Sequence, residues 1–435
     1  MAQPTAPLKS AELDQCRQVA RRWLHGIDHS GHRATSIDTA SVPIILTYAS
    51  KIAPDRWLLG LSAAAKGVPL VLAGLGRPGF GWTDPAMKLP GARRGAQLLS
   101  TIMPAAPIIF TDGGDTMLIN EPQLATRSML LRARSESTVL ISSECSSWPI
   151  CYNASYWADK ESSNCRATWP TCYPNSGMFM ASGSAMYRYV SMLEATTARL
   201  THPAERLNDA AGMHHLYLNR TAEPELTQEI DASSTFFLNI FPCTGPRYRL
   251  RAFGPHEYCH DVQYEPLNQV HLINGTDGVR GLTFRNALGD VQQPLLLHAN
   301  GLHSRLTGTS VGRPSMLFKP LIDRYLPPLG RPPRAALLAR PVLLVDSALH
   351  GEPVCALTTM GDIFSRAREQ LEADHQAHER ERVRKVGMVA RICDQPWALI
   401  NRTVEKVLDW VLRFNATKRL DSFCKLAQNP VSLHP

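Results

Sequence analysis

The feature that most constrains the fold is an alternation of apolar and helical segments between residues 42 and 142. Short apolar runs of the kind that form buried strands occupy residues 42–49, 68–73, 106–110 and 138–142. The intervening segments have helical patterns at residues 57–66, 95–103 and 122–134. Strands that alternate with helices usually form a parallel sheet covered by helices. We therefore predict a doubly wound α/β sheet.

Composition excludes several classes of protein. A chain of 435 residues with 44% hydrophobic and 19% charged residues is typical of a soluble globular protein with a large core. No run approaches the roughly 18 apolar residues that a membrane helix requires. The net charge of +8 is spread along the chain, and no basic stretch is interleaved with aromatic residues. We expect neither a membrane span nor a nucleic-acid partner, and nothing in the sequence indicates an oligomeric state.

Changes in composition suggest three regions. We predict a polar N-terminal extension at residues 1–41, a main domain at 42–320, and a linker followed by a mainly helical region at 321–435. The linker prediction depends on a cluster of prolines between residues 327 and 333. Other predicted elements are helices at 11–24, 362–392 and 396–414, and a strand pair within 335–345.

Cysteines and glycosylation sequons favour the secretory pathway. Six of the ten cysteines lie between Cys145 and Cys259, and their spacings do not match a zinc ribbon. Asn-x-Ser/Thr sequons occur at Asn153, Asn219, Asn274, Asn401 and Asn415. The first residues contain no apolar segment typical of a signal peptide. Residues 145–178 are rich in cysteine, tryptophan, asparagine and serine, which indicates a long ordered loop region. From the sequons and the cysteines we nevertheless predict a glycoprotein with disulfides in a loop region, located in the endoplasmic reticulum or Golgi lumen or secreted.

Two carboxylates follow the third apolar run, three residues apart. The sequence Phe-Thr-Asp-Gly-Gly-Asp at residues 110–115 places Asp112 and Asp115 on a turn at the end of a predicted strand. Ligands of doubly wound sheets bind at the carboxyl ends of strands. Mg²⁺ and Mn²⁺ commonly take one or two protein carboxylates and complete their shells with water and phosphate oxygens. A solvated Asp-Gly turn has the same composition, so both interpretations stay open on this hexapeptide.

Two other pattern matches are weaker. Residues 74–79 fit G-x-G-x-x-G after a strand, but nearby prolines prevent the helix whose N-terminus would face a pyrophosphate. Residues 308–312 fit a nucleophile elbow around Ser310, with Asp346 and His350 in a suitable order. The residues before this elbow are too polar for the buried strand that an elbow requires. A serine hydrolase using Ser310 is therefore a minor alternative.

A series of short motifs carries a family resemblance. They are Leu-Thr-Tyr-Ala at 46–49, Leu-Ala-Gly-Leu-Gly at 72–76, Gly-Trp at 81–82, the hexapeptide at 110–115, Ser-Glu-Cys at 143–145, Trp-Pro at 148–149, Asn-Ser-Gly at 175–177 and His-Ala-Asn-Gly at 298–301. In this order and spacing they resemble the glycosyltransferase domain of the procollagen lysyl hydroxylase and glycosyltransferase family. The resemblance covers residues 42–305. It implies a GT-A fold, a Rossmann-like mixed sheet with helices on both faces, here with a small helical C-terminal appendage.

The resemblance implies a metal-dependent hexosyltransferase. Asp112, Asp115 and His298 would bind Mn²⁺ or Mg²⁺, which would hold the diphosphate of a UDP-sugar. When a sugar leaves with UDP, a bound cation stabilises the negative charge that develops on the diphosphate. The acceptor would be a hydroxyl group of a protein or glycan, such as the hydroxylysine of a collagen-like protein.

The resemblance also assigns residues to the donor nucleotide. Thr47 and Trp82 would contact the nucleotide, and Asn300 would lie near the diphosphate. Arg94 would replace a lysine of the family and keep a cation near phosphate. Packing alone explains Trp82 equally well, because aromatic residues bury large areas anywhere in a protein.

A further set of residues would face the sugar and the acceptor. Trp148 and Asn175 would line this side of the site, although a turn or packing role fits both. Glu144 follows an apolar run, where a carboxylate needs a partner or a function. Glu144 or Asp209 would orient or deprotonate the acceptor hydroxyl.

The sequence departs from the family at several positions. Gly114 replaces an aromatic residue that contacts the nucleoside, and Asn208-Asp209-Ala210 replaces Asp-Asp-Gln before a helix. These departures favour an alternative, a catalytically silent GT-A-like protein that binds a nucleotide or glycan or acts as a scaffold. No His-x-Asp sequence is present, so we do not expect the iron-dependent hydroxylase domain of the family.

Overall fold

The computed structural model describes residues 7–24, 42–52, 57–77, 85–120, 137–144, 173–201, 203–219, 225–239, 270–274, 280–285, 291–298, 333–347 and 354–393. The chain divides into two compact units, Met1–Ser365 and Arg366–Pro435. The first unit contains an eight-stranded sheet and two three-stranded sheets. Among the helices in the described ranges, none is long and apolar enough to span a bilayer.

The strands are short, and those at the centre of the large sheet are largely apolar and buried, as expected for strands covered on both faces. They are β1 Ile44–Tyr48, β2 Leu70–Ala73, β3 Pro107–Asp112, β4 Thr116–Leu118, β5 Thr138–Glu144, β6 Tyr173–Ser182, β7 Thr227–Asp231, β8 Phe237–Asn239, β9 Val270–Asn274, β10 Arg280–Arg285, β11 Val291–Gln292, β12 Leu296–His298, β13 Pro341–Val345 and β14 Cys355–Thr359. The helices are α1 Ser10–Leu24, α2 Leu58–Ala65, α3 Lys88–Ile102, α4 Gly183–Arg199, α5 Pro203–Arg206, α6 Asp209–Leu218, α7 Ala335–Leu338 and α8 Met360–Cys393.

The large sheet is mixed. Its strand order is β14-β13-β2-β1-β3-β6-β5-β7. Strands β13, β2, β1 and β3 run parallel to one another, whereas β14 and β6 pair antiparallel at either side of this group. β5 is antiparallel to β6 and parallel to β7. The predicted mixed α/β architecture is therefore confirmed.

Helices cover both faces of the large sheet. Ile45 points into a core that includes α2 and the start of α8, whereas Ile44 and Leu46 point into a core that includes α1, α3, α4 and α6. Residues that alternate along one strand must face opposite sides of a sheet. In the core that contains Ile44 and Leu46, Phe110 stacks on Phe179 of the neighbouring strand β6 at a centroid distance of 4.8 Å.

Part of the predicted long loop is a strand. We expected residues 145–178 to form a loop, but residues from Tyr173 onward belong to β6, which pairs with β3 and β5. This part of the prediction is wrong because its proline, asparagine and glycine resemble turn residues although the strand is central and fully buried. The predicted helices at 122–134 and 396–414 lie outside the described residues.

The large sheet extends beyond the predicted domain boundary at residue 320. β13 pairs with β2, and β14 pairs with β13, so this hairpin belongs to the main sheet. The strand pair expected within 335–345 is instead the short helix α7 followed by β13 alone. Cys16 of α1 forms a disulfide with Cys355 of β14, which ties the predicted N-terminal extension to the same edge. The loop cysteines from Cys145 to Cys259 lie outside the described residues.

A small sheet connects distant parts of the chain next to the end of β3. β12 lies between β4 and β8, antiparallel to the first and parallel to the second. Its last row aligns Thr116, His298 and Asn239. Because Thr116 follows Asp115 directly, this register brings His298 beside the acidic turn.

Candidate metal centre

Three potential metal ligands converge at the carboxyl end of β3. Asp112 ends that strand, Asp115 lies on the following turn and His298 ends β12. The Nε2 atom of His298 lies 3.3 Å from Oδ1 of Asp115 and 3.9 Å from Oδ2 of Asp112. One ligand atom from each side chain lies within 4.8 Å of the other two. Two carboxylates and an imidazole gathered this closely can hold a divalent metal ion.

The turn that carries the two carboxylates is fixed by its neighbours. A Cβ atom on Gly113 would lie 2.8 Å from the carbonyl oxygen of Tyr48, so this position requires glycine. The indole Nε1 of Trp57 donates a hydrogen bond of 2.6 Å to the carbonyl of Gly113. The hydroxyl of Thr116 donates to the carbonyl of Asp112. The indole of Trp57 thus fixes the backbone of the turn at Gly113, and the bond from Thr116 to Asp112 closes the turn.

A hydrogen bond to Asn239 orients the imidazole of His298. The amide nitrogen of Asn239 donates to the carbonyl of Ser143 at 2.6 Å, which leaves its Oδ1 facing Nδ1 of His298 at 2.8 Å. Since Oδ1 can only accept, Nδ1 carries the proton of this bond and Nε2 points toward the carboxylates. Metal-binding histidines typically have their second nitrogen engaged in this way. The donor set and its surroundings therefore fit a cation.

Burial and neighbouring charges shift the pKa values of the candidate ligands Asp112 and His298. Burial raises the pKa of Asp112, although Lys88 and His298 act in the opposite direction. Burial opposes protonation of His298, but Asp115, Asp112 and Glu144 outweigh it and raise the pKa of His298. The imidazolium so favoured compensates the clustered carboxylates. A divalent cation would supply the same compensation with more charge.

Glu144 and Asn175 lie at the adjacent end of β5 and β6. The side-chain amide of Asn175 donates to Oε2 of Glu144 at 3.0 Å, and its oxygen accepts from the backbone of Gly177 at 2.8 Å. Gly177 in turn leaves room for the imidazole of His298, because a Cβ there would lie 2.2 Å from Cε1 of His298. Glu144, Asn175 and the candidate ligands therefore form one continuous cluster.

Asp209 reaches the same cluster through Lys88. Nζ of Lys88 lies 2.6 Å from Oδ1 of Asp112 and 2.8 Å from Oδ2 of Asp209. Asp209 is the first residue of α6, and Asn208 caps that helix by accepting hydrogen bonds from the backbone of Ala210 and Ala211. Asn208 thus has a structural role as an N-cap.

Arg94 and Thr47 make contacts within the protein. Nη1 of Arg94 lies 2.5 Å from Oδ1 of Asp346, which also pairs with Arg77 at 2.6 Å. The cation that contacts the acidic cluster is Lys88 rather than Arg94. The hydroxyl of Thr47 donates to the carbonyl of Thr111 at 2.7 Å. The other predicted site residues lie outside the described residues; they are Trp82, Trp148, Asn300 and Ser310.

Two residues of this cluster were missed in the sequence. Lys88 occupies the first turn of α3, where the helix dipole disfavours a cation. A lysine at such a position indicates nearby carboxylates, and this signal could have drawn attention to it. Asn239 has no comparable local signal, because its role depends on the pairing of β8 with β12.

Comparison with known proteins does not extend this description. No protein-family model matches the chain, and no curated protein is significantly similar to it in sequence.

Proposed function

We propose that the chain is a metal-dependent glycosyltransferase of the GT-A type that moves a hexose from a UDP-sugar to a hydroxyl acceptor. The observation that carries this proposal is the convergence of Asp112, Asp115 and His298 within 4.8 Å at the carboxyl edge of an α/β sheet. The motif resemblance to the procollagen glycosyltransferases supports the donor and the acceptor, a hydroxylysine of a collagen-like protein. Fold alone would not establish either.

The proposed roles follow from the positions of the side chains. Asp112, Asp115 and His298 would hold Mn²⁺ or Mg²⁺, which as a Lewis acid stabilises the charge on departing UDP. Asn239 keeps the imidazole of His298 oriented through its hydrogen bond of 2.8 Å. Glu144, whose carboxylate accepts a hydrogen bond from Asn175, would orient or deprotonate the acceptor hydroxyl.

A catalytically silent nucleotide-binding or glycan-binding protein is the second candidate. The observation that favours it is the use of Asn208 as a helix cap and the ion pair of Asp209 with Lys88. Asn208 and Asp209 thus make contacts within the protein instead of facing a transferred sugar. Such a protein would bind UDP with the metal but would not release UDP from a UDP-sugar.

We infer a lumenal or secreted location from a disulfide and a glycosylation sequon. The disulfide between Cys16 and Cys355 favours an oxidising compartment. Asn219, which begins an Asn-x-Thr sequon, is exposed at the end of α6, where its side-chain amide donates a hydrogen bond of 3.0 Å to the carbonyl of His215.

Release of UDP from a panel of UDP-sugars tests the proposed activity. The assay is run with Mn²⁺, with Mg²⁺ and with chelator, each with and without hydroxylysine peptides. We expect metal-dependent UDP release with at least one UDP-hexose, increased by acceptor. Binding of UDP without turnover of any donor would favour the silent protein, and a fluorophosphonate-reactive Ser310 would favour a hydrolase.

A further inference from the structure

Lys88 is buried between two carboxylates at the edge of the candidate metal centre. Its side chain is 4% exposed, and its Nζ lies 2.6 Å from Oδ1 of Asp112 and 2.8 Å from Oδ2 of Asp209. The same ammonium lies 5.8 Å from the ring centroid of Phe110. These contacts hold the ammonium of Lys88 next to Asp112.

The two oxygens of Asp112 therefore face different partners. Oδ1 contacts Lys88, whereas Oδ2 lies on the side of His298, 3.9 Å from its Nε2. A divalent cation bound between Asp112, Asp115 and His298 can approach Oδ2 freely. Approach to Oδ1 as well would bring the cation against the ammonium of Lys88, and like charges at such short range repel strongly.

We infer that Lys88 is a positioning residue that restricts Asp112 to one ligand oxygen and thereby makes the site select small octahedral cations over Ca²⁺. Mg²⁺ requires near-octahedral geometry with single-oxygen ligands, and Mn²⁺ suits the same oxygen-rich octahedral sites. Ca²⁺ takes six to eight oxygens and often uses carboxylates in bidentate mode. This inference rests on the metal centre of the proposed function and concerns the selectivity of that centre.

Competition between Mn²⁺ and Ca²⁺ tests the inference without an activity assay. Bound Mn²⁺ is followed by electron paramagnetic resonance while Ca²⁺ is added to the full-length protein. Lys88→Met is the direct variant, but it leaves two buried carboxylates without their cation and can fail to fold. The double variant Lys88→Met/Asp209→Asn removes one positive and one negative charge together, and Asp209→Asn alone is its matched control. Lys88→Arg retains the cation.

Wild type, Asp209→Asn and Lys88→Arg should prefer Mn²⁺ over Ca²⁺ to a similar degree. The double variant should lose about tenfold or more of that preference, the size expected when a group that orients a ligand is removed. An unchanged preference in the double variant overturns the inference while the metal centre stands. Failure of the wild type to bind Mn²⁺ at all overturns the metal centre and this inference together.

Discussion

The contact between Asn239 and His298 determines which ring nitrogen faces the carboxylates. The amide of Asn239 cannot turn over without losing its 2.6 Å bond to the carbonyl of Ser143. Its oxygen therefore remains the partner of Nδ1, and Nε2 remains directed at Asp115. Metal affinity should consequently depend on Asn239 although this side chain would not touch the ion.

Replacement of Asn239 tests this dependence. Asn239→Leu removes the acceptor, and we expect Mn²⁺ affinity to fall by about 10-fold to 100-fold, as is typical for partners of ligating histidines. Asn239→Asp loses the donor to the carbonyl of Ser143 but keeps an acceptor oxygen for Nδ1, so it should retain more of the affinity than Asn239→Leu. Isothermal titration with Mn²⁺ measures both. Equal affinity in the leucine and aspartate variants would show that the hydrogen bond does not matter.

A single methyl group at position 177 should disturb the same histidine. Gly177→Ala would place Cβ at 2.2 Å from Cε1 and 2.6 Å from Nδ1 of His298, so the ring must move. We expect loss of Mn²⁺ binding with a retained cooperative thermal transition. Gly114→Ala is the control, because nothing lies within 4 Å of a Cβ at that position of the acidic turn. Normal Mn²⁺ binding by Gly177→Ala would contradict the observed packing.

The sequence allowed the three candidate ligands to be named but not the residues that hold them. Asp112 and Asp115 are close in sequence and end an obvious strand, so local patterns locate them. His298 was found through the motif resemblance. Asn239 acts through a contact between strands remote in sequence, which no local pattern encodes. Lys88 has one local signal, a cation in the first turn of a helix, but that signal does not identify its partners Asp112 and Asp209.

At the scale of elements, the apolar strands were predictable and the central antiparallel strand was not. β1, β2 and β3 are largely apolar runs bounded by helical segments, a pattern that identifies buried strands. β6 begins Tyr-Pro-Asn-Ser-Gly, a sequence typical of turns, and becomes a strand only because β3 and β5 pair with it on both sides. Tertiary pairing here outweighs local propensity.

Helix α6 contains a buried histidine whose titration should limit stability in acid. Burial, assisted by His215, lowers the pKa of His214 to about 3. Below the pKa of about 6.5 that histidine has in the unfolded chain, only the unfolded state gains a proton. The folded state should therefore lose stability as the pH falls from about 6.5 toward about 3.

We expect His214 to contribute about 2 kcal/mol of destabilisation between about pH 7.5 and pH 5. Urea unfolding of wild type and His214→Met at both pH values measures this contribution as a difference. His375→Met, a change at an exposed histidine of α8, is the control. If His214→Met loses as much stability as the wild type on acidification, the histidine is not responsible.

At the scale of the whole molecule, sequence-distant segments complete one sheet edge. The β13–β14 hairpin extends the large sheet, and the disulfide joins Cys16 to Cys355 across a separation of 339 residues. A link of this kind restricts the unfolded chain, and its removal typically costs about 2 to 5 kcal/mol. Composition could not predict the pairing, because the two cysteines lie outside the cysteine-rich segment.

The double variant Cys16→Ser/Cys355→Ser should therefore unfold at lower denaturant concentration than the wild type. Chemical denaturation under non-reducing conditions measures the midpoint, and mass spectrometry of non-reduced peptides identifies the link. Wild-type protein treated with reductant is the comparison. An unchanged midpoint, or free thiols at both positions in the untreated protein, would contradict this account.

Calorimetric titration of UDP in the presence of Mn²⁺ tests the central claim most directly. Three side chains, Asp112, Asp115 and His298, are proposed to hold one cation that in turn holds the diphosphate. Wild type should bind UDP with Mn²⁺ and lose that binding in chelator, and Asp115→Ala should not bind UDP under either condition. Asp115→Ala that binds UDP with wild-type affinity in Mn²⁺ would contradict the claim.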